Sequence, residues 1–130
     1  MNKSKESIGL KKLQMADLIF REVSDAIMIT NMAGDIIDVN PAFTKITEYS
    51  RDGVVGNPPR FMHSDCDDGL DYQALLTKLA RTDVWSGTVT VNKKSGEPYT
   101  AYMTIMAVKN SYEQTTHHIA FLRATSFLLS

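Results

Sequence analysis

Few residues in this sequence have side chains suited to catalysis or metal binding. It contains three histidines and one cysteine among 130 residues. The lone thiol, Cys66, cannot form an internal disulfide or a cysteine-type zinc site. His117 and His118 are adjacent in a predicted strand, where successive side chains point to opposite faces, so they cannot face one metal together. With His63 in a predicted loop, we expect all three histidines at surface or loop positions and no metal site.

The acidic residues do not favour an enzyme either. General acid–base chemistry requires paired carboxylates in a cleft, or a nucleophile beside a base. Asp65, Asp67 and Asp68 cluster in a predicted loop, where carboxylates are usually solvated. We therefore expect a domain that is not itself an enzyme.

Composition limits the classes of partner. A formal net charge of −1 and a pI near 6.3 give no bulk attraction to nucleic acid or anionic lipid. The first twelve residues are basic and polar, and no later stretch stays apolar over the length needed to cross a bilayer. With 43% hydrophobic and 22% charged residues, the chain has an ordinary globular balance. We expect one cytoplasmic domain that contacts neither nucleic acid nor the membrane directly.

The N-terminal segment, residues 4–23, has the pattern of a helix with two apolar faces. The first face consists of Leu13, Ala16, Phe20 and Val23. The second face consists of Met15, Leu18 and Ile19. Such a helix must bury both faces, so one is predicted to cover its own domain and the other to contact a partner chain or a neighbouring helix.

The rest of the chain alternates between strand and helix patterns. Residues 26–30 and 35–39 are predicted strands joined by a turn at 31–34. Asn40 is a suitable helix cap and Pro41 a suitable first helical residue, which predicts a helix to about Thr47. Residues 48–68 are rich in Gly, Pro, Asp and Ser and predict short turns and loops. A second helix is predicted at 70–80, and strands at 84–92, 99–109 and 117–125.

This order of elements predicts an α+β fold. Two strands, then helices, then three strands indicate a five-stranded antiparallel sheet with helices on one face and an N-terminal connector helix. A sheet that curls over short helices can enclose a small-molecule cavity. A small isomerase-like α+β barrel is an alternative of another class, but it would need an Asp or Tyr on the cavity face. The expected inward row is apolar: Ala101, Met103 and Ile105.

The sequence resembles the PAS family from about Leu18 to Thr125. No single motif is diagnostic, but the order and spacing of several are. These segments are residues 25–31, 34–43, 46–50, 56–58, 72–75, 85–87 and 93–99. The resemblance is nearest to the sensor-box type found ahead of histidine kinase, diguanylate cyclase (GGDEF) and phosphodiesterase domains, including the nitrogen-fixation redox sensors.

The resemblance implies a sensory and dimerisation module of a bacterial signalling protein, such as a two-component system. It divides the chain into a connector helix at 1–22, a PAS domain at 23–126 and the start of a linker to a C-terminal output domain at 127–130. Two departures stand out. Ala124-Thr-Ser126 replaces the Asp-Ile-Thr motif that couples many relatives to their output helix, and Glu48 replaces the usual glycine before the aromatic of the first helix.

The same resemblance bears on cofactors, and we expect none. Light-sensing relatives attach flavin to a cysteine, and Pro59 occupies that position here. The positions that would hydrogen-bond the flavin ring are Val91, Ala101 and Leu122. FAD-binding redox sensors carry a helix tryptophan where this chain has Leu76, although their strand asparagine is retained as Asn92; an FAD sensor is the main alternative. Haem is not expected, because residues 70–81 contain no histidine. Trp85 is interpreted as a packing residue.

Two candidate sites follow from the predicted fold. The first is a mostly apolar pocket for a small or planar organic ligand, or a space filled by the side chains themselves. Its predicted lining is Met28, Thr30, Asn40, Phe43, Leu75, Val89, Val91, Asn92, Met103, Ile105 and Leu122. The second is a homodimer and signalling surface made by Leu13, Ala16, Phe20 and Val23 of the helix with Tyr102 and Thr104 of the outer sheet face. A helix that folds back over its own sheet would instead leave a monomer.

Overall fold

The computed structural model describes residues 3–64 and 72–125, with side chains for 9–62 and 72–125. Its helices are α1 (Lys3–Glu22), α2 (Pro41–Thr47), α3 (Arg51–Val54) and α4 (Tyr72–Thr82). Its strands are β1 (Ala26–Asn31), β2 (Ile36–Val39), β3 (Met62–Ser64), β4 (Val84–Asn92), β5 (Pro98–Lys109) and β6 (Thr115–Ala124). The predicted helices and strands are all present. Leu70, the predicted start of α4, lies outside the described residues, as do Cys66, the aspartates at 65, 67 and 68, and the predicted linker at 127–130.

The strands form one antiparallel sheet in the order β2-β1-β6-β5-β4-β3. The predicted five-stranded antiparallel sheet is therefore confirmed. Strand β3 was not predicted: it adds three residues to the outer edge of β4, pairing Met62 with Val91. Its sequence lies in a segment rich in proline and aspartate, and three residues are too few for an alternating pattern to show.

Strand alternation places the core on one face of the sheet. Successive side chains point to opposite faces, and in β5 the residues Ala101, Met103 and Ile105 are fully buried while Tyr102 is exposed. Helices α2 and α4 cover this inner face, where their buried residues join one hydrophobic core with those of the strands. The opposite face of the sheet, which carries Tyr102, is called the outer face below.

Helix α1 leaves most of its apolar surface exposed. Its last turn lies against α2, where Phe20 and Arg21 come close to Pro41 and Thr44. Along the rest of its described length, large apolar side chains are more than half exposed. These are Leu10, Leu13, Met15, Leu18 and Ile19. The helix therefore does not fold back over its own sheet within the described residues.

The residue that ends α2 explains one departure from the family pattern. Glu48 has φ 70°, in the left-handed region where glycine is the usual residue. Its backbone N–H donates to the Thr44 carbonyl, and its carboxylate accepts a hydrogen bond from the Ser95 backbone N–H (3.2 Å). Hydrogen bonding to Ser95, through its side chain first and its backbone N–H second, lowers the pKa of Glu48 below its ordinary value. The side chain thus links α2 to the β4–β5 hairpin, which a glycine could not do.

Candidate functional site

The predicted pocket residues lie together in the interior, with one exception. Ten of them are at most 1% exposed: Met28, Thr30, Asn40, Phe43, Leu75, Val89, Val91, Met103, Ile105 and Leu122. Strands β1, β4, β5 and β6 supply the sheet side of this interior, and α2 and α4 supply the cover. Most of these side chains are apolar, so the interior suits an apolar molecule or its own packed side chains.

Asn92 is the exception, and its placement in the pocket was wrong. It follows the fully buried Val91 in β4 and is itself exposed. Because side chains alternate along a strand, a residue next to an inward one points outward. The asparagine that linked this chain to FAD-binding relatives therefore does not face the interior.

Asn40 is buried, and both polar atoms of its side chain are hydrogen-bonded to the backbone. Its Oδ1 accepts from the N–H groups of Ile27 (2.8 Å) and Phe43 (3.0 Å), and its Nδ2 donates to the Asp25 carbonyl (3.0 Å). The bond from the Ile27 N–H ties Asn40 to β1. The bond from the Phe43 N–H caps α2, as the sequence predicted. Asn40 thus joins Asp25, just before β1, to β1 and to α2, and it is a structural contact.

A second polar feature of the interior is a pair of hydroxyl groups. Thr30 Oγ1 and Tyr72 OH share a hydrogen bond of 3.0 Å that links β1 to the first turn of α4. Burial raises the pKa of Tyr72 to about 12, so the phenol is protonated at neutral pH. Tyr72 was not predicted as a site residue, because it stands at the start of a helix that is preceded by a loop-like segment.

His118 is the third polar feature, and its predicted surface position was wrong. It is 5% exposed, on the same parity of β6 as the buried Ala120 and Leu122. Thr30 is its direct cross-strand partner in β1. Among the side chains that the structure describes, its Nδ1 is the buried nitrogen or oxygen atom without a hydrogen-bond partner. His117, one residue earlier, is only half-buried and its Nδ1 lies 2.9 Å from Thr116 Oγ1.

Burial of His118 predicts a pH-dependent stability. Burial lowers the pKa of His118 below its ordinary value of 6.5, with the nearby charge of Asp83 acting in the opposite direction. Unfolding restores the ordinary pKa, so between the two values the unfolded chain binds a proton that the folded chain does not. The contribution of neutral His118 to the free energy of unfolding is therefore fully present above about pH 6.5. It falls as the pH drops through the lower pKa of the folded state, with a slope of at most about 1.4 kcal/mol per pH unit for one proton.

Chemical denaturation between pH 7.5 and 5.5 measures this slope. His118→Phe removes the titrating ring and is expected to flatten the profile, whereas His117→Phe is expected to retain it. The range stays above the titration of Glu48, whose lowered pKa acts below its ordinary value of 4.5. Equal slopes in the wild type and His118→Phe would contradict the assignment.

The predicted signalling residues occupy two exposed surfaces. On α1, Leu13 and Ala16 are exposed, and Phe20 and Val23 are half-buried. On the outer face, Tyr102 is 38% exposed and Thr104 is half-buried. A groove of about 390 Å³ lies at that face, lined by Asp25, Tyr102, Thr104, Phe121 and Arg123.

An ion pair at this groove joins the two ends of the domain. Arg123 of β6 donates to Asp25, just after α1, through Nη2 (3.0 Å) and Nε (3.3 Å). The bond to Asp25 raises the pKa of Arg123. Bidentate arginine–carboxylate pairs hold both groups in a defined geometry. The last described strand is thus tied to the base of α1, next to the position where this chain lacks the usual aspartate.

Trp85 packs as a structural residue. It is half-buried against the core, and its ring covers Gly87, where an added Cβ would lie 2.8 Å from the ring carbons. The Trp-x-Gly pattern therefore has a packing explanation, because a side chain at position 87 would require the indole to move from its place in β4.

Comparison with known proteins agrees with the fold just described. The family model described as PAS domain matches residues 24–124. The chain belongs to the PAS domain family. The PAS domain of a Colwellia psychrerythraea protein superposes with a TM-score of 0.74 at 21% identity, covering 86% of this chain and 95% of that one. Membership of this family rules out the alternative assignment as an isomerase-like barrel.

Two relatives are signalling proteins. The chain is 29% identical over 105 residues to a nitrogen fixation regulatory protein of Klebsiella oxytoca, covering 81% of this PAS domain chain and 21% of the relative. It is 29% identical over 85 residues to a blue-light-activated histidine kinase of Brucella canis, covering 65% and 17%. The chain thus spans about a fifth of the length of these relatives. It is a PAS sensory domain of a kind that is normally not catalytic.

Two negative findings come from the structure itself. No helix in the described part of the chain is long and apolar enough to cross a membrane. Within residues 9–62 and 72–125, no group of three or more His, Cys, Asp or Glu side chains is placed to hold a metal ion. The side chain of His63 lies outside those ranges.

Proposed function

We propose that this PAS domain is the sensory and dimerisation module of a cytoplasmic bacterial signalling protein, and that it relays a conformational change to a C-terminal output domain. The observation that carries the proposal is the exposed apolar surface of α1. In the proposed dimer, this surface packs against α1 and the outer face of a second copy of the chain. Kinase, diguanylate cyclase and phosphodiesterase domains are the output classes that the family resemblance favours.

The exposed side chains of α1 support a partner surface. Five large apolar residues of this helix are between 51% and 70% exposed. Removing apolar surface from water stabilises an association by roughly 25 cal/mol per Å², before the entropic cost of binding. Because these residues surround the helix and its own sheet does not cover them, a second chain is the simplest way to bury them.

The outer face supports the same proposal. It carries several exposed or half-buried apolar residues along neighbouring strands, which are Val84, Tyr102, Met106, Val108, Ile119 and Phe121. Met106 is the direct cross-strand partner of both Val84 and Ile119, so these side chains form a continuous surface. A second copy of α1 would cover that surface and the groove at Tyr102, and the Asp25–Arg123 pair would carry a shift of α1 to β6.

Sedimentation velocity tests the dimer. At tens of micromolar, we expect the intact chain to sediment as a dimer and a chain lacking residues 1–22 as a monomer. Leu13→Glu with Leu18→Glu should also give a monomer, because a charge at either position would be buried in the interface. Both leucines are exposed in the single chain, so the fold should survive these changes.

Lys12→Glu is the matched control for the helix variants. It changes charge on the same exposed helix without adding a charge to an apolar position, and we expect the dimer to persist. A monomeric intact chain would contradict the proposal for this domain.

We also propose that the domain works without a bound flavin. The three positions that would meet a flavin's polar edge are Val91, Ala101 and Leu122, and all three are fully buried on the inner face. Each would leave a polar atom of the ring unpaired, at a cost of about 1–3 kcal/mol per buried group. Pro59 stands where light-sensing relatives have their cysteine, and Asn92 is exposed.

The absorbance spectrum of protein purified from cells tests this cofactor proposal. We expect no flavin band in the visible region and no haem Soret band. A yellow protein with stoichiometric flavin would contradict it and would favour the FAD redox-sensor alternative.

A further inference from the structure

One buried side-chain polar atom in the described interior has no hydrogen-bond partner. Four polar residues are buried there: Thr30, Asn40, Thr47 and His118. Thr47 Oγ1 donates to the Phe43 carbonyl (2.8 Å) and accepts from the Tyr49 N–H (3.2 Å). Thr30 is paired with Tyr72, and Asn40 makes three backbone bonds. Only His118 Nδ1 remains unpaired.

An unpaired buried nitrogen calls for a physical reason, because leaving one costs about 1–3 kcal/mol. Water is one partner that can satisfy such an atom, and a ligand is another. The surroundings favour a ligand with a large apolar part. His118 shares its face of β6 with Ala120 and Leu122, and its cross-strand neighbour Thr30 leads on to the fully buried Met28 in β1.

The same end of the interior offers a second polar contact. Cross-strand partners have Cβ atoms about 5 Å apart, which places the Thr30–Tyr72 hydroxyl pair beside the His118 ring. Two hydroxyl groups that share one hydrogen bond still hold one further O–H for donation. The imidazole and the hydroxyl pair thus form a single polar end on an otherwise apolar interior.

The core also contains the residues best able to make room. Met28 and Met103 are fully buried in the inner layer. Methionine is unbranched and flexible, so it fills irregular space and can adopt other rotamers at low cost. An interior that holds two such residues can admit a small molecule without breaking the sheet.

We propose that His118 Nδ1 is the polar contact of an interior ligand site, and that its ligand is a small, uncharged, mostly apolar organic molecule with one hydroxyl or N–H group. This inference deepens the proposed sensory function by naming the class of signal molecule. With the ring proton on Nε2, Nδ1 accepts a hydrogen bond from the ligand. A charged ligand is disfavoured, because no described side chain of opposite charge is buried in this interior to pair with it.

Phenol and toluene are matched probes for this site, since they have similar size and differ in one hydroxyl group. We expect saturable NMR shifts at Met28, Ala120 and the His118 ring nitrogens on adding phenol to the intact chain, up to about 10 mM. Phenol should bind about tenfold more tightly than toluene, the equivalent of one hydrogen bond of about 1.4 kcal/mol.

His118→Phe should remove that preference. Phenol affinity is expected to fall by at least about tenfold, to or below the level of toluene, because its hydroxyl is then buried unpaired, while toluene affinity changes less than about threefold. His117→Phe, on the opposite side of the same strand, should keep the tenfold preference. His118→Gln retains a side-chain acceptor and should keep part of it, which guards against a variant that fails for structural reasons. The NMR shift of the His118 ring nitrogens on adding phenol is measured in the unmodified chain, so this test does not depend on whether a variant folds.

Two results would overturn the proposal. One is the absence of saturable shifts in the interior with phenol, which would leave water as the partner of Nδ1. The other is a preference for phenol that survives in folded His118→Phe. Sedimentation of the same samples shows separately whether the chain is a dimer. A monomer that binds phenol would therefore contradict only the dimerisation proposal.

Discussion

Asn40→Ala is expected to lower the free energy of unfolding by about 2–4 kcal/mol, as the sum of a lost helix cap and an unpaired buried donor. The side-chain oxygen caps α2 at the Phe43 N–H and also accepts from the Ile27 N–H. Alanine leaves the Ile27 N–H in the interior without this partner. The lost bond from Nδ2 to the Asp25 carbonyl also loosens the junction between α1 and β1. Urea denaturation followed by circular dichroism measures the change.

Asn57→Ala is the matched control for Asn40→Ala. Asn57 is exposed, and its backbone bonds to Val54 and Ile36 are unaffected by the side chain. We expect a change within about 0.5 kcal/mol, as is usual at the surface. If Asn40→Ala lowered the free energy of unfolding no more than this control, the three hydrogen bonds of Asn40 would not stabilise the junction of β1 and α2.

The part of the fold that could be predicted from sequence is the part set by local rules. Asn40 and Pro41 specify the start of α2 because capping and a fixed φ angle act within a few residues. The alternation of Ala101, Met103 and Ile105 with polar neighbours specifies the inner face of β5 for the same reason. Ten of the eleven predicted pocket residues share the interior because each was assigned from such a local pattern.

The features that sequence reasoning missed depend on contacts between distant elements. His118 is buried by its position beside β1 and β5, whose residues come from the opposite ends of the domain. A signal was present, since its parity matches the inward Ala120 and Leu122, but a pair of adjacent histidines looks like a polar strand end. Strand β3 exists only because β4 offers it an edge. Asn92 was assigned by family resemblance against its own strand parity.

The outer surfaces show the same division between local and distant information. The apolar periodicity of α1 correctly predicted a helix, but periodicity alone does not say whether such a helix covers its own sheet. The structure shows the large apolar side chains of α1 exposed and the outer face beside Tyr102 open as a groove. The proposed dimer rests on these two exposures together, because each surface has the chemistry to bury the other.

Phe43→Ala is the second variant with a large expected effect. Phe43 is fully buried and meets the ring of Phe61 edge-on, with 5.7 Å between ring centroids. We expect a loss of about 3–5 kcal/mol in the free energy of unfolding, from lost transfer energy and the cavity left behind. That cavity would adjoin the apolar pocket residues, so benzene should occupy it and restore about 1 kcal/mol of stability at saturating concentration. Thermal unfolding with and without benzene measures both effects.

Phe121→Ala separates the inner face from the outer one. Phe121 belongs to β6 but faces outward, is half-buried, and lines the groove beside Tyr102. Its loss should cost only about 1–2 kcal/mol, because the site is open to solvent and no enclosed cavity forms. Benzene should therefore shift the melting temperature of Phe121→Ala no more than that of the wild type. Equal benzene effects on both variants would mean that the apolar space next to Phe43 is no more enclosed than the surface groove, and the interior assignment of the pocket would then be wrong.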